Sequence, residues 1–124
     1  MSELDRDRRQ RATAIFKLGL KASSKGIHRT LNREPKGKGW VQCVNSPAGI
    51  MCRPEKGREA IAHFKKAYDT FPDIVVLNQI ALGHEMLGEV AAARDYFTRM
   101  REQATTERID VYLQAAELGL QRMG

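Results

Sequence analysis

Apolar side chains recur along this chain at the three- and four-residue spacing of amphipathic helices. Near the start, such a stripe predicts a first helix over about residues 5–25, ended by Gly26, with the apolar residues Ala12, Ile15, Phe16, Leu18, Leu20 and Ala22. Comparable stripes predict helices 2 to 5 between about residues 56 and 123. The last of these runs from about residue 106 to 123 on Ile109, Tyr112, Leu113, Ala116 and Leu120. The pattern therefore predicts an all-α fold in a single domain, residues 1–124.

Two of the predicted helices share one spacing of small and aromatic residues. In helix 2 the spaced residues are Ala60, Phe64, Ala67 and, beyond its end, Pro72. The same places recur 33 positions later (60 to 93, 64 to 97) as Ala93, Phe97, Met100 and Thr105. Small residues let two helices approach closely and an aromatic fills the space between them. We therefore expect Ala60 and Ala93 at helix contacts and Phe64 and Phe97 in the core.

The helices that precede these two can be aligned in the same way. The aligned positions are Ile15, Leu18, Gly19, Ala22 and Gly26 in the first, and Leu77, Ile80, Ala81, His84 and Gly88 in the third. Gly19 and Ala81 are the expected points of close approach. Helix 5 is expected to cap the apolar end of the stack.

These motifs resemble the tetratricopeptide repeat (TPR) family, over about residues 11–26 and 56–105, as two repeats and a C-terminal capping helix. The tryptophan and tyrosine of the family's first helix are absent here. The resemblance implies a short right-handed superhelix of antiparallel helix hairpins, whose concave groove holds a partner segment. The positions implied to face the groove are Thr13, Phe16, Leu20, Ser23, Ser24, Val75, Asn78, Leu82, Glu85 and Met86. Only Asn78 fits the carboxylate clamp of some family members, so that clamp is not expected.

An insert of about 29 residues separates helices 1 and 2, over about residues 27–55, where the second repeat has a short turn at Gly88. Two short apolar runs in it, residues 40–44 and 50–52, flank a turn-forming stretch at 45–49. We expect a loop or a small β-hairpin there, and no strand outside residues 39–53. Because an isolated hairpin is marginally stable in water, it should lean on the helices or on a partner. Trp40 or Ile50 is expected to cover the groove or to contact the partner.

Positive charge is concentrated in the front half of the chain. Residues 1–24, 25–57 and 58–124 contribute net charges of +3, +5 and −2, which sum to the overall +6. The insert holds a predicted basic patch of Arg29, Arg33, Lys36 and Lys38. Such a patch can neutralise phosphates, and Trp40 can stack on a base, so nucleic acid is an alternative partner.

The two cysteines, Cys43 and Cys52, both lie in the insert. No apolar run approaches the ~18 residues of a membrane span, and the N-terminal stretch lacks a secretory signal, so a cytoplasmic protein is expected. In that compartment the cysteines are expected to be reduced thiols, although a disulfide across the hairpin is geometrically conceivable. A metal is not expected, because only His28 lies in the same segment.

The sequence contains no motif of a known enzyme class, such as a glycine-rich phosphate loop or a nucleophile elbow. We expect neither catalysis nor a cofactor, and we interpret His63 and His84 as surface or packing residues. Three functions stay open. The first is a protein-interaction adaptor or chaperone-like module that binds a protein or peptide through the partly apolar groove or the basic insert. The others are nucleic-acid binding and self-assembly through the ends of the stack.

Overall fold

The computed structural model describes residues 2–29, 37–43 and 50–124. In these ranges the chain forms five helices: α1 Glu3–Lys25, α2 Pro54–Thr70, α3 Ile74–Met86, α4 Val90–Glu107 and α5 Asp110–Met123. The predicted mainly helical fold with five helices is confirmed, and each helix packs against its neighbour in sequence. None of the helices in the described ranges is long and apolar enough to cross a membrane.

Local sequence explains most of the helix ends. Ser2 caps α1 by accepting a hydrogen bond from the Asp5 amide, and Asp73 caps α3 by accepting one from the Val75 amide. Pro54 begins α2, where a missing amide hydrogen costs nothing. The predicted start of the last helix, near residue 106, is wrong. Helix α4 continues to Glu107 and ends because Arg108 adopts a left-handed conformation, φ 58° and ψ 50°.

Between α1 and α2, the described residues form three short strands: β1 Ile27–Arg29, β2 Val41–Gln42 and β3 Ile50–Cys52. They form an antiparallel sheet in the order β1-β3-β2. The predicted hairpin is confirmed as β2 and β3. The prediction of no strand outside residues 39–53 is wrong, because β1 pairs with the other edge of β3. This pairing occupies backbone groups that a two-stranded hairpin would leave open.

The core comprises two clusters that share helix α3. One lies between α1, α2 and α3 around Phe64, and the other lies between α3, α4 and α5 around Phe97. Ala60, Ala81 and Ala93 are buried at these contacts, as predicted. Helix α5 packs on α4 and closes the cluster around Phe97, as expected for a capping helix.

Two glycines allow the aromatic rings to sit directly against a neighbouring helix. A Cβ at Gly19 would lie 2.5 Å from Cε1 of Phe64, and a Cβ at Gly119 would lie 2.5 Å from Cε1 of Phe97. The close approach predicted at Gly19 is therefore confirmed. Each aromatic ring has one glycine partner, on α1 for the first cluster and on α5 for the second.

Candidate binding groove

Helices α1 and α3 both pack on α2 and leave a groove between them, which we call the α1–α3 groove. One part of it is a cavity of about 290 Å³ between the C-terminal ends of α1 and α3 and the start of α2. The apolar lining includes Ile27, Cys52, Phe64, Leu82, Met86 and Leu87. Its polar groups are Ser23, Gln79 and Arg53. This cavity suits an apolar side chain whose backbone or polar end lies near the rim.

A smaller recess of about 110 Å³ lies in the same groove near the start of α1. Phe16, Thr13 and Val75 line it together with Phe71 and Arg9. The Arg9 guanidinium lies 6.0 Å from the centre of the Phe71 ring. The structure thus brings the predicted groove residues together in two groups. Ser23, Leu82 and Met86 meet in the large cavity, and Thr13, Phe16 and Val75 meet in the recess.

The other four predicted groove residues have different surroundings. Leu20 and Ser24 are exposed, and Asn78 is half-buried. Glu85 is buried, and its two carboxylate oxygens accept hydrogen bonds from Arg122, from Nε at 2.6 Å and Nη2 at 2.9 Å. The hydrogen bond to Glu85 raises the pKa of the Arg122 guanidinium. Glu85 is thus neutralised within the chain by a residue of α5, a contact that sequence spacing does not reveal.

The sheet forms one wall of the large cavity. Ile27 at the start of β1 and Cys52 at the end of β3 line it, in the role expected for Trp40 or Ile50. Neither Trp40 nor Ile50 is among the lining residues, so this expectation is wrong for the described residues. The Trp40 ring lies 4.7 Å from the guanidinium carbon of Arg53, which does line the cavity.

The prediction that Cys43 and Cys52 are reduced thiols is wrong, because the two residues form a disulfide. In the β2–β3 register Val41 lies opposite Cys52, so Cys43 and Cys52 are diagonal neighbours with Cα atoms 5.1 Å apart. That separation lies in the usual range for a disulfide. Both cysteines are buried.

The predicted basic patch is described only in part. Arg33 and Lys36 lie outside the described residues, and so does the side chain of Arg29, whose backbone ends β1. Lys38 is exposed. Elsewhere on the front half, Arg6, Arg9, Gln10 and Thr13 line an open depression of about 480 Å³ on α1.

His84 is a buried packing residue, as interpreted from the sequence. Its Nδ1 lies 3.2 Å from Oε1 of Glu89, and its ring stacks on Tyr96 with centroids 5.5 Å apart. Burial lowers the pKa of His84, and the nearby positive charges of Lys65 and Arg58 act in the same direction. His63 is half-buried on α2. In the part of the chain that the structure describes, acidic residues, histidines and cysteines form no group that could bind a metal ion.

Comparison with known proteins adds no relative, since no family model, no curated protein and no solved structure matches this chain.

Proposed function

We propose that this protein is a TPR-like interaction adaptor that binds a segment of a partner protein in the α1–α3 groove. The observation on which this rests is the apolar cavity of about 290 Å³ at Leu82 and Met86. Ser23, Leu82 and Met86 are positions that the repeat alignment assigns to the partner-binding face. Apolar anchors in such pockets contribute most of the binding energy in segment recognition.

In the second core cluster, a side chain of the protein itself occupies the space beside the aromatic ring. Beside Phe97, the Arg122 guanidinium carbon lies 5.8 Å from the ring centre and hydrogen-bonds Glu85. In the repeat alignment, Ser23 corresponds to Glu85, 62 positions later, just as Gly19 corresponds to Ala81. Ser23 and Phe64 both line the open cavity. A binding role for the first helix pair fits this difference.

Capture from an extract of the native cell, with and without nuclease, followed by identification of the bound proteins, would test the proposal. The affinity of the captured partner is then measured for Leu82→Glu and Met86→Glu. A carboxylate at either position replaces apolar contact surface and loses hydration when the segment binds, so we expect a loss of about tenfold or more. Leu118→Glu is the matched control, because Leu118 is 55% exposed on α5, away from the cavity. Equal affinity of Leu82→Glu and Leu118→Glu would contradict the proposal.

Nucleic-acid binding is the second candidate, favoured by Arg6 and Arg9 in the open depression on α1 and by the exposed Lys38. Phosphate contacts release counterions, so this function requires affinity to fall steeply between about 50 and 200 mM salt. Groove binding of an apolar segment should depend weakly on salt and survive Lys36→Gln and Lys38→Gln. Steep salt dependence together with indifference to Leu82→Glu would establish the nucleic-acid function in place of the adaptor.

Self-assembly is the third candidate, because apolar side chains are exposed on both outer helices. Leu4 and Leu18 of α1 are 65% and 53% exposed, and Val111 and Leu118 of α5 are 67% and 55% exposed. Scattered exposed apolar residues are common on monomers. A size measurement across a dilution series distinguishes this function, since only self-assembly predicts a mass that falls on dilution.

A further inference from the structure

Strand β2 has few backbone contacts to hold it in the sheet. It consists of Val41 and Gln42, which pair with Cys52 and Met51 of β3. One further backbone hydrogen bond runs from the Cys43 amide to the Ile50 carbonyl, at 3.1 Å. A two-residue strand is marginally stable. The covalent link from Cys43 to Cys52 is therefore the strongest attachment of β2 to the rest of the molecule.

The two ends of β2 are both attached to the segment that begins α2. After β2, Cys43 is bonded to Cys52. Before β2, Trp40 lies against Arg53, the next residue after Cys52. Arg53 in turn fixes this segment to α1, because its amide donates to the Gly26 carbonyl at 2.8 Å. Thus β2, Trp40 and the start of α2 form one assembly.

That assembly is also a wall of the candidate binding cavity. Cys52 and Arg53 both line it, together with Leu82 and Met86 of α3. Ile27 of β1 and residues of α1, α2 and α3 complete the lining, while α3, α4 and α5 pack on one another. A change in the attachment of β2 can therefore alter the cavity wall while the helical stack stays folded.

We propose that the Cys43–Cys52 disulfide is a redox-controlled latch on the binding cavity. In the oxidised protein the bond holds β2 and Trp40 against the wall formed by Cys52 and Arg53. Reduction removes the covalent attachment of β2 and leaves its non-covalent contacts alone, so we expect Trp40 to separate from Arg53 and the wall to lose its support. A pre-organised wall costs less to order on binding, so the oxidised form is the tighter binder. The effect on partner binding rests on the proposed function, whereas the latch does not.

The chemistry of the switch is thiol–disulfide exchange with a dithiol. The dithiol supplies two electrons and two protons. The bond between the two Sγ atoms breaks, Cys43 and Cys52 each become a thiol, and the dithiol becomes a disulfide. Both cysteines are buried, and Cys52 borders the cavity, so the cavity is the path by which a small dithiol approaches the bond. A segment bound in the cavity should therefore slow reduction.

The latch can be tested with the full chain, because Trp40 is the protein's only tryptophan. Wild type is prepared oxidised and then reduced with dithiothreitol, with thiol titration to count the free cysteines. We expect two free thiols on reduction, an emission shift of Trp40 to longer wavelength and unchanged helical circular dichroism. The variant Cys43→Ser/Cys52→Ser should match reduced wild type in emission and should not respond to dithiothreitol. Free thiols in the oxidised preparation, an unshifted emission or a loss of helix on reduction would each overturn the latch.

The effect on the cavity is measured with an apolar dye, 8-anilinonaphthalene-1-sulfonate. Oxidised wild type should bind the dye, and both reduction and Leu82→Glu should reduce the bound signal. Equal or stronger dye binding after reduction would overturn the coupling. If the emission shift and the dye response appear but no partner depends on Leu82, the latch stands and the proposed adaptor function fails. The two ideas can therefore be refuted separately.

Discussion

This protein has two helix pairs, α1–α2 (the first pair) and α3–α4 with α5 packed on it (the second pair). They share one packing motif but differ in what lies beside it. In both pairs an aromatic ring packs against a glycine of a neighbouring helix, Phe64 against Gly19 and Phe97 against Gly119. Next to Phe97, the Glu85–Arg122 ion pair occupies the space between α3 and α5. Next to Phe64, an inserted sheet borders a cavity of about 290 Å³. One motif thus serves as closed core in the second pair and as the floor of a cavity in the first.

This difference concentrates the tightly packed core in one part of the domain and leaves the proposed binding cavity in the other. Of the four largest fully buried side chains, Phe97, Leu77 and Met100 belong to the second cluster. The fourth, Ile80, lies in the first cluster but is supplied by α3. The second pair therefore contains most of the tightly packed core, and the first pair can leave apolar surface open to a partner. Four predictions test this division, beginning with the largest effect.

The first prediction compares the two aromatic residues. Phe97→Ala should lower the free energy of unfolding by about 3–5 kcal/mol, because it leaves a void in a fully closed core. Phe64→Ala should cost less, since its ring already borders open space and the site can relax or admit water. Urea unfolding followed by circular dichroism measures both variants. An equal or larger cost for Phe64→Ala would show that the first pair is as closed as the second.

The second prediction adds volume at the two equivalent alanines. Ala93→Leu should destabilise the protein by about 1–3 kcal/mol, because Ala93 has no accessible surface and the larger side chain overpacks the helix contact. Ala60→Leu should cost less, because Ala60 lines the cavity and the added carbons can enter it. The same unfolding experiment measures the difference, and Ala60→Leu should also weaken dye binding. A larger cost at Ala60 would contradict the assignment of the open space.

Helix packing positions in both pairs were predictable from the sequence, and contacts between distant segments were not. Ala60, Phe64, Ala93 and Phe97 were placed correctly because helical packing repeats with a fixed spacing, which one chain displays twice. The β-hairpin was predictable from two apolar runs around a turn. Strand β1 was missed, because three residues, Ile27–Arg29, are too few to show an alternating pattern.

The polar contacts of the site could not be predicted from spacing. Glu85 and Arg122 are 37 positions apart on different helices, and their pairing depends on how α5 crosses α3. The disulfide was missed for a different reason. We inferred reduced thiols from an expected compartment, while the register of β2 and β3 makes Cys43 and Cys52 diagonal neighbours with Cα atoms 5.1 Å apart. The disulfide therefore depends on the strand register, which an inference from the compartment does not take into account.

The third prediction concerns the Glu85–Arg122 ion pair between α3 and α5. Arg122→Met removes both hydrogen bonds from the buried Glu85 carboxylate, which should cost about 1–3 kcal/mol. Arg99→Met is the matched control, because the Arg99–Asp95 pair is exposed on α4 and such pairs contribute about 0–1 kcal/mol. Adding Glu85→Gln to Arg122→Met should recover part of the loss. Equal costs for Arg122→Met and Arg99→Met would show that Glu85 stays solvated.

The fourth and smallest effect is a pH dependence from His84 in the second pair. Burial lowers its pKa below the unfolded value of about 6.5, and Lys65 and Arg58 add to this, although Glu89 opposes it. The folded state therefore keeps His84 neutral while the unfolded chain takes up a proton. Stability should be constant above about pH 6.5 with respect to this group and should fall as the pH drops below it.

Urea unfolding at a series of pH values between about 7 and 5 measures this slope. His84→Gln should flatten it, and His63→Gln on α2 should leave the contribution of His84 intact. The Nε2 atom of His84 is buried and, within the described residues, has no hydrogen-bond partner, so a second proton on the ring has no acceptor there. The cost of protonation is thus a property of the closed second pair. A slope that survives unchanged in His84→Gln would show that other groups cause it, so that burial in the second pair does not hold His84 neutral.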